Sequence, residues 1–247
     1  MSFKVVIPSR YNSTRLAGKP LIEIAGLPMV IHVVRKARLS GADEVIVATD
    51  DERIFNCVEQ FGFKAIITDP EHSSGTDRIN EVLNHTDWND ETIIINLQGD
   101  EPLIDPLLIN KVAHGMSELE VDYATAASSF ESAEDFANIN NVKVVLGGDD
   151  YALYFSRSMI PYDRVSGKDS IAQGALQHIG IYGYTAKFLR FFCELPKSNL
   201  ERIEGLEQLR ALENHQKIKV FKYDGAHSIG VDTQEDLDKI KKILGSN

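Results

Sequence analysis

Residues 3–8, FKVVIP, run directly into residues 9–20, SRYNSTRLAGKP, and this junction decides how the rest of the chain is read. The first six residues are apolar, rich in β-branched side chains and closed by a proline, the pattern of a buried parallel strand. The twelve that follow carry Arg10, Arg15 and Lys19 among small polar residues and one glycine, Gly18. A strand that ends in such a loop suits a polyphosphate. Main-chain N–H groups and guanidinium forks match phosphate oxygens, and a lysine adds a point charge. A solvated basic loop has the same composition. The setting favours the ligand site, because the chain has a formal net charge of -11 and still gathers cations in its first loop.

Working outward, Met29, Val30, Val33, Val34, Ala37 and Leu39 fall near helical spacing and Gly41 stops them. Glu44 to Ala48 is the next strand, Ile54 to Phe61 a helix closed by Gly62, and Lys64 to Thr68 a third strand. This rhythm predicts an α/β fold with a doubly wound, mostly parallel, Rossmann-like sheet. Ligands then sit beyond the carboxyl ends of the strands. The first loop, the turn at Thr49 and the segment after Thr68 should rim one crevice. In that last segment, HSSGTDR, Ser74 and Gly75 open a helix with free N–H groups, as a ligand site or an ordinary cap would.

Thr92 to Leu97, TIIINL, is the most apolar strand and leads into Gln98-Gly99-Asp100-Glu101-Pro102. Acidic residues at the end of a central strand, facing cations, suggest a divalent metal such as Mg²⁺, which takes one or two carboxylates plus substrate phosphates. The competing reading is a turn at Gly99 with Asp100 as a helix cap. Further on, the pattern predicts a helix over Leu107 to Leu119, a strand over Tyr123 to Phe130 and a hairpin of Val142 to Leu146 with Ala152 to Ser156. A loop follows over Pro161 to Ala175, then a strand over Gln177 to Tyr184 and helices over Thr185 to Cys193 and Arg202 to Glu213. Lys217 to Tyr223 reads as the last strand and Glu235 to Leu244 as the last helix. One domain is expected, with a core of 1–122 and 215–247 and a smaller mixed lobe, 123–214, carrying an oligomer contact.

Composition narrows the classes of function. A pI near 5.1 argues against a nucleic-acid or anionic-membrane partner. Cys57 and Cys193 have no CxxC spacing and read as reduced thiols. There is no apolar run near the roughly 20 residues of a membrane span and no signal-peptide pattern, so a soluble cytoplasmic protein is expected. The turn after the first strand lacks GxGxxG, and no GxxxxGK[ST] is present, which disfavours a dinucleotide-dependent oxidoreductase and a P-loop enzyme.

The blocks IPSRYNSTRLAGKPL, VATDDERI, SSGTDRI, NLQGDEPLI, NVKVV, ALYFSRSMIP, HIGIYGY, LEQLRALE and GVDTQEDL follow one another from the first strand to the last helix. Together they resemble the 3-deoxy-D-manno-octulosonate (Kdo) cytidylyltransferase family over essentially the whole chain. Any one block alone would fit sugar nucleotidyltransferases generally. The resemblance implies that CTP and Kdo, an eight-carbon acidic sugar, give CMP-Kdo and pyrophosphate with Mg²⁺, for lipopolysaccharide synthesis, in a homodimer.

The resemblance also implies residue roles. Arg10, Ser13, Arg15 and Lys19 would hold the triphosphate, with Arg15, Lys19 and Asp100 catalytic. Ser74, Gly75 and Arg78 would line the cytosine and ribose. Asp100 would bind metal together with Asp232 of the GVDT block. Gln98, Arg157, His178, Glu207 and Gln208 would surround the sugar, Arg157 on its carboxylate and His178 as a hydrogen-bond donor. For His178 the alternative is a strand histidine satisfied by its neighbours, and for Glu207 and Gln208 a solvated helix face. Tyr182 and Tyr184 read as sheet packing. The chain departs from the family pattern at Ala17, in place of proline, and at Gln177, in place of arginine; the loop 165–175 also looks shorter. The last two fall on the sugar side and leave an 8-amino analogue of Kdo as an alternative acceptor. A non-catalytic nucleotide-binding protein remains the alternative outside enzymes.

Overall fold

The computed structural model describes residues 2–12, 16–165, 167, 170–225 and 230–245. The opening run forms β1 (Lys4–Ser9), and a short 3₁₀ turn follows at Lys19–Leu21. A two-residue hairpin, β2 (Glu23–Ile24) and β3 (Leu27–Pro28), leads into α1 (Met29–Leu39). The alternation continues as β4 (Glu44–Thr49), α2 (Glu52–Gln60), β5 (Lys64–Ile67), α3 (Gly75–Val82), β6 (Ile93–Asn96) and α4 (Pro106–Leu119). Then come β7 (Tyr123–Ser129), α5 (Ala133–Ala137), β8 (Lys143–Leu146), β9 (Ala152–Ser156) and the long β10 (Leu176–Thr185). The chain closes with α6 (Ala186–Glu194), α7 (Asn199–Glu204), α8 (Leu209–Glu213), β11 (Lys219–Lys222) and α9 (Gln234–Gly245).

The main sheet has the order β11-β7-β10-β6-β1-β4-β5, with β8 and β9 branching from β10. β6, β1, β4 and β5 pair in parallel, as do β7 and β11, and β10 runs antiparallel to both β6 and β7. Along that path β10 alone therefore opposes the rest. Alternate residues of β1 serve opposite faces. Val5 and Ile7 join the core under α1 and α4, while Val6 joins the core under α3 and α6. That two-sided burial is why the run reads as continuously apolar. The sheet crosses the expected boundary at residue 122, since β7 and β10 are two of its strands.

One expected element is different. Arg202 to Glu213 is two helices, because Gly205 takes a left-handed conformation (φ 62) and caps α7 through its N–H to the Glu201 carbonyl. α8 restarts at Leu209, four residues later. The break turns Glu207 and Gln208 inward, where a continuous amphipathic helix would have left them at its surface.

Candidate functional site

Parallel pairing puts the ends of β1, β4, β5 and β6 at one edge: Ser9 is in register with Thr49, and Thr49 with Ile67. A cleft of about 360 Å³ opens there, lined by Ser9, Arg10, Asn12, Lys19, Gln98, Gly99, Asp100 and Asp232 among others. Gly99 permits its closest wall. A Cβ at that position would stand 2.6 Å from Ser9 Oγ and 3.0 Å from the Pro8 carbonyl oxygen. The first loop and the turn after β6 meet only because residue 99 has no side chain.

Lys19 is the hub of this cleft. Its ammonium donates to Asp100 Oδ2 at 2.6 Å and to Asp232 Oδ1 at 3.2 Å, and its side chain is 12% exposed. Asp232 arrives from the far end of the chain. Val231 N donates to the Asp100 carbonyl at 2.9 Å, and α9 packs Leu237 and Ile240 against Ile24 and Met29. The two carboxylates thus converge on one cation, so neither is a mere helix cap. Of the other residues expected on the triphosphate, Arg10 lines the cleft. Ser13 and Arg15 lie outside the described residues.

The start of α3 abuts the same loop, with Gly75 close enough that a Cβ would touch Pro8 Cγ at 3.2 Å. Ser74 is its N-cap: its hydroxyl accepts from Asp77 N at 3.0 Å and donates to Asp77 Oδ2 at 2.9 Å. Arg78, expected on the nucleotide side, is held by the ends of β4 and β5, with its guanidinium feeling the charge of Arg10 in the cleft. It is 0% exposed, donates to Asp50 Oδ2 at 2.8 Å and to Thr68 Oγ1, and so ties the ends of β4 and β5 together. Burial pulls the guanidinium's pKa down while Asp50 works against that shift. The part-buried carboxylate at the end of β4 holds this arginine.

The sugar-side residues are arranged differently. Gln98 lines the cleft and donates to Asn96 Oδ1 at 3.2 Å. Glu207 accepts from Thr76 Oγ1 in the first turn of α3 and from Arg210 at 3.4 Å, joining the sugar-side block to the nucleotide side. Burial raises its carboxyl pKa above the ordinary value, against the lowering effects of Thr76 and Arg210. Gln208 is 2% exposed with its amide nitrogen unpartnered. Neither residue is on a solvated face.

Arg157 commits at least three of its five N–H donors to main-chain carbonyls, those of Glu204, Gly205 and Ile139, at 2.7, 3.4 and 3.2 Å. It buttresses the end of α7. The His178 ring sits 5.1 Å from Phe155 and 5.4 Å from Tyr182, and burial lowers its pKa to about 3, so it is neutral. Its Nε2 lies 2.9 Å from Thr125 Oγ1, whose single hydrogen goes to the Ile181 carbonyl at 2.7 Å. The Ile179 carbonyl also lies 3.3 Å from that hydroxyl; with the hydroxyl hydrogen on the nearer Ile181 carbonyl, Nε2 donates to Thr125 and Nδ1 is left as an acceptor. In the ligand-free protein Nε2 is thus engaged with Thr125. Tyr184 stacks with Tyr123 and with Tyr182, and Tyr182 lies tilted against Tyr123.

Ser9 and Asn12 belong to the cleft wall and were not singled out by sequence reasoning. Their only signal was a polar residue at the end of the first strand. Among the described residues no helix is long and apolar enough to cross a membrane.

With this geometry in hand, comparison with known proteins is specific. The cytidylyltransferase family model matches residues 4–218. A 3-deoxy-manno-octulosonate cytidylyltransferase of Aeromonas hydrophila is 48% identical, covering 100% of both chains, and one of Serratia proteamaculans is 48% identical over 99% of each. The solved structure of CMP:2-keto-3-deoxy-manno-octonic acid synthetase complexed with CTP superimposes with a TM-score of 0.91 at 41% identity, covering 100% of this chain and 99% of that one. A cytidylyltransferase of Leptospira borgpetersenii superimposes at 0.65 with 16% identity, over 100% of this chain and 88% of that one, a likeness of fold alone.

Proposed function

The chain belongs to the cytidylyltransferase family, and on that premise we propose that it transfers the cytidylyl group of CTP to 3-deoxy-manno-octulosonate, releasing pyrophosphate. The observation that carries this reading is the meeting of Lys19, Asp100 and Asp232 in a cleft beside Arg10, in a chain 48% identical over its full length to enzymes of that name. A sugar hydroxyl attacks the α-phosphorus and pyrophosphate departs, so catalysis is chiefly positioning and charge neutralisation. Arg10 and Lys19, with Arg15, hold the triphosphate and balance charge on the leaving group. The start of α3 offers main-chain N–H groups to the nucleoside, and Gln98, His178, Glu207 and Gln208 orient the sugar. The remaining guanidinium donors of Arg157 face its carboxylate.

Asp100 and Asp232 suit Mg²⁺. They are hard oxygen donors that converge within reach of one cation, and the described residues hold no cluster of three or more ligating side chains, so substrate phosphates would complete the shell. When bound, the ion would neutralise phosphate charge and orient the α-phosphoryl group. The product is an activated sugar for lipopolysaccharide assembly, made in the cytoplasm. The same reading includes a homodimer, and this part of the chain exposes Ile139, Leu153 and Ile203.

The decisive experiment is pyrophosphate release from CTP and Mg²⁺ with Kdo, its 8-amino analogue and sialic acid compared side by side. Turnover strongest with Kdo is the expected result. Preference for the amino sugar would keep the chemistry and change the acceptor, with Gln177 the first residue to revert to arginine. CTP binding without turnover on any of the three would leave a nucleotide-binding protein.

A further inference from the structure

Tyr11 and Lys19 stand near the two ends of the first loop, and the tyrosine joins those ends. Gly18 N donates to the Tyr11 carbonyl at 3.1 Å, and Gly18, left-handed at φ 65, is the N-cap of the 3₁₀ turn that presents Lys19. A Cβ at 18 would stand 3.1 Å from Cε2, Cζ and Oη of Tyr11, so the ring packs on the residue directly before the lysine. The ring is held in turn by Arg53, in the first turn of α2, whose Cζ lies 3.3 Å from its centroid. Arg53 is itself fixed. Its Nε donates to Asp51 Oδ1 at 2.9 Å and its Nη2 to Asp51 Oδ2 at 2.7 Å, while Asp51, the N-cap of α2, also accepts from Arg53 N. A two-pronged bond sets the guanidinium plane, and a plane already set stacks on an aromatic face with little freedom left to lose.

We propose that Arg53, acting through Tyr11, is a positioning residue for Lys19: α2 carries a brace that seats the lysine between Asp100 and Asp232. The inference rests on the nucleotide reading above, and it gives the VATDDERI block a second task beside the hold of Asp50 on Arg78. Neither Tyr11 nor Arg53 is among the residues lining the cleft, so their effect on the reaction passes through the loop. An ammonium on a flexible stem is placed only as well as the main chain that bears it. Small displacements of a charged group at a reacting centre cost large factors in rate.

Arg53→Gln, Tyr11→Leu and the double variant test the brace on the full chain. In pyrophosphate release with the sugar saturating, kcat/KM for CTP should fall about fivefold for Arg53→Gln and about tenfold or more for Tyr11→Leu. The double variant should lose no more than Tyr11→Leu alone, since both changes break one chain of contacts. The KM for the sugar and the melting temperature of Arg53→Gln should hold, because that side chain is 59% exposed and Asp51 still caps α2 through the main chain. Arg53→Lys keeps a cation over the ring without the fork and should recover part of the loss. Losses that add in the double variant, or an unchanged kcat/KM in Arg53→Gln, overturn the proposal. A second readout needs no turnover. An amine-reactive acetylating reagent should label Lys19 several-fold faster in both single variants than in the wild type, measured by peptide mass, because the ammonium leaves its carboxylates. Unchanged labelling also overturns the proposal. A wild type that turns over no CTP would sink the nucleotide reading instead, and the labelling then still judges the brace.

Discussion

The two sides of the crevice are built from the same residue types and treat them in opposite ways. At the ends of β1 and β6, charged side chains meet one another across open space: Lys19 bridges Asp100 and Asp232, and Arg10 stands beside them. Around β4, β5 and β10, polar groups close on the protein itself. Arg78 is taken by Asp50 and Thr68, Arg157 by three carbonyls and His178 by Thr125. The difference separates charges that ligands can rearrange from charges that hold the walls in place. Removing a member of the first kind should cost rate, and removing one of the second kind should cost stability. Where the residue reaches the sugar, as Arg157 and His178 do in the proposed function, sugar affinity should be lost as well.

Asp100→Asn gives the largest effect expected on the open side. It takes a negative charge from the Lys19 pair while keeping the shape. Turnover should fall by about 10²–10³-fold or more, since electrostatic groups at the reacting centre carry effects of that size. The melting temperature should move little, because partly exposed ion pairs contribute modestly to folding. Pyrophosphate release and a melting curve on the same preparation test both halves. Near-normal turnover would remove Asp100 from the chemistry.

Arg78→Met probes the closed side. Leaving the part-buried Asp50 without its partner should destabilise the fold by about 1.5–3 kcal/mol, read as a lower urea midpoint. The CTP affinity of the folded fraction should hold. The contrast breaks if the methionine variant keeps its stability and loses CTP, for then Arg78 is a nucleotide ligand after all.

These two residues also show how much was legible in the sequence. Strands and helices could be read from β-branched runs ended by glycine, and the strand-end rule placed Asp100 and Lys19 in one crevice before any coordinates. The partner of Arg78 could not be read so directly. Asp50 stands in plain sight in VATDD, but only the pairing of β4 with β5 and the packing of α3 bring it within 2.8 Å. The pairing of Asp100 with Asp232 came from resemblance alone, and the contact of Lys19 with Asp232, 213 positions apart, was not legible at all. The helix break is the opposite case. Gly205 is a local stop signal inside LERIEGLEQLR, and the helical spacing around it outweighed it.

His178→Gln should have the smallest effect and gives the finest test of the closed side. The ordinary histidine value is 6.5 and burial takes this one to about 3, so between those values the unfolded chain binds a proton that the folded chain refuses. Stability from this group is complete above the upper value and is lost on acidification, by at most about 1.4 kcal/mol per pH unit. Glutamine keeps an N–H for Thr125 and cannot titrate. The variant's urea midpoint should therefore depend less on pH than the wild type's between about pH 6.5 and 4, with the two curves converging above that window apart from a constant offset. Equal slopes would mean that His178 can take a proton in the folded protein, and the neutral ring with its Nδ1 acceptor would no longer describe the site.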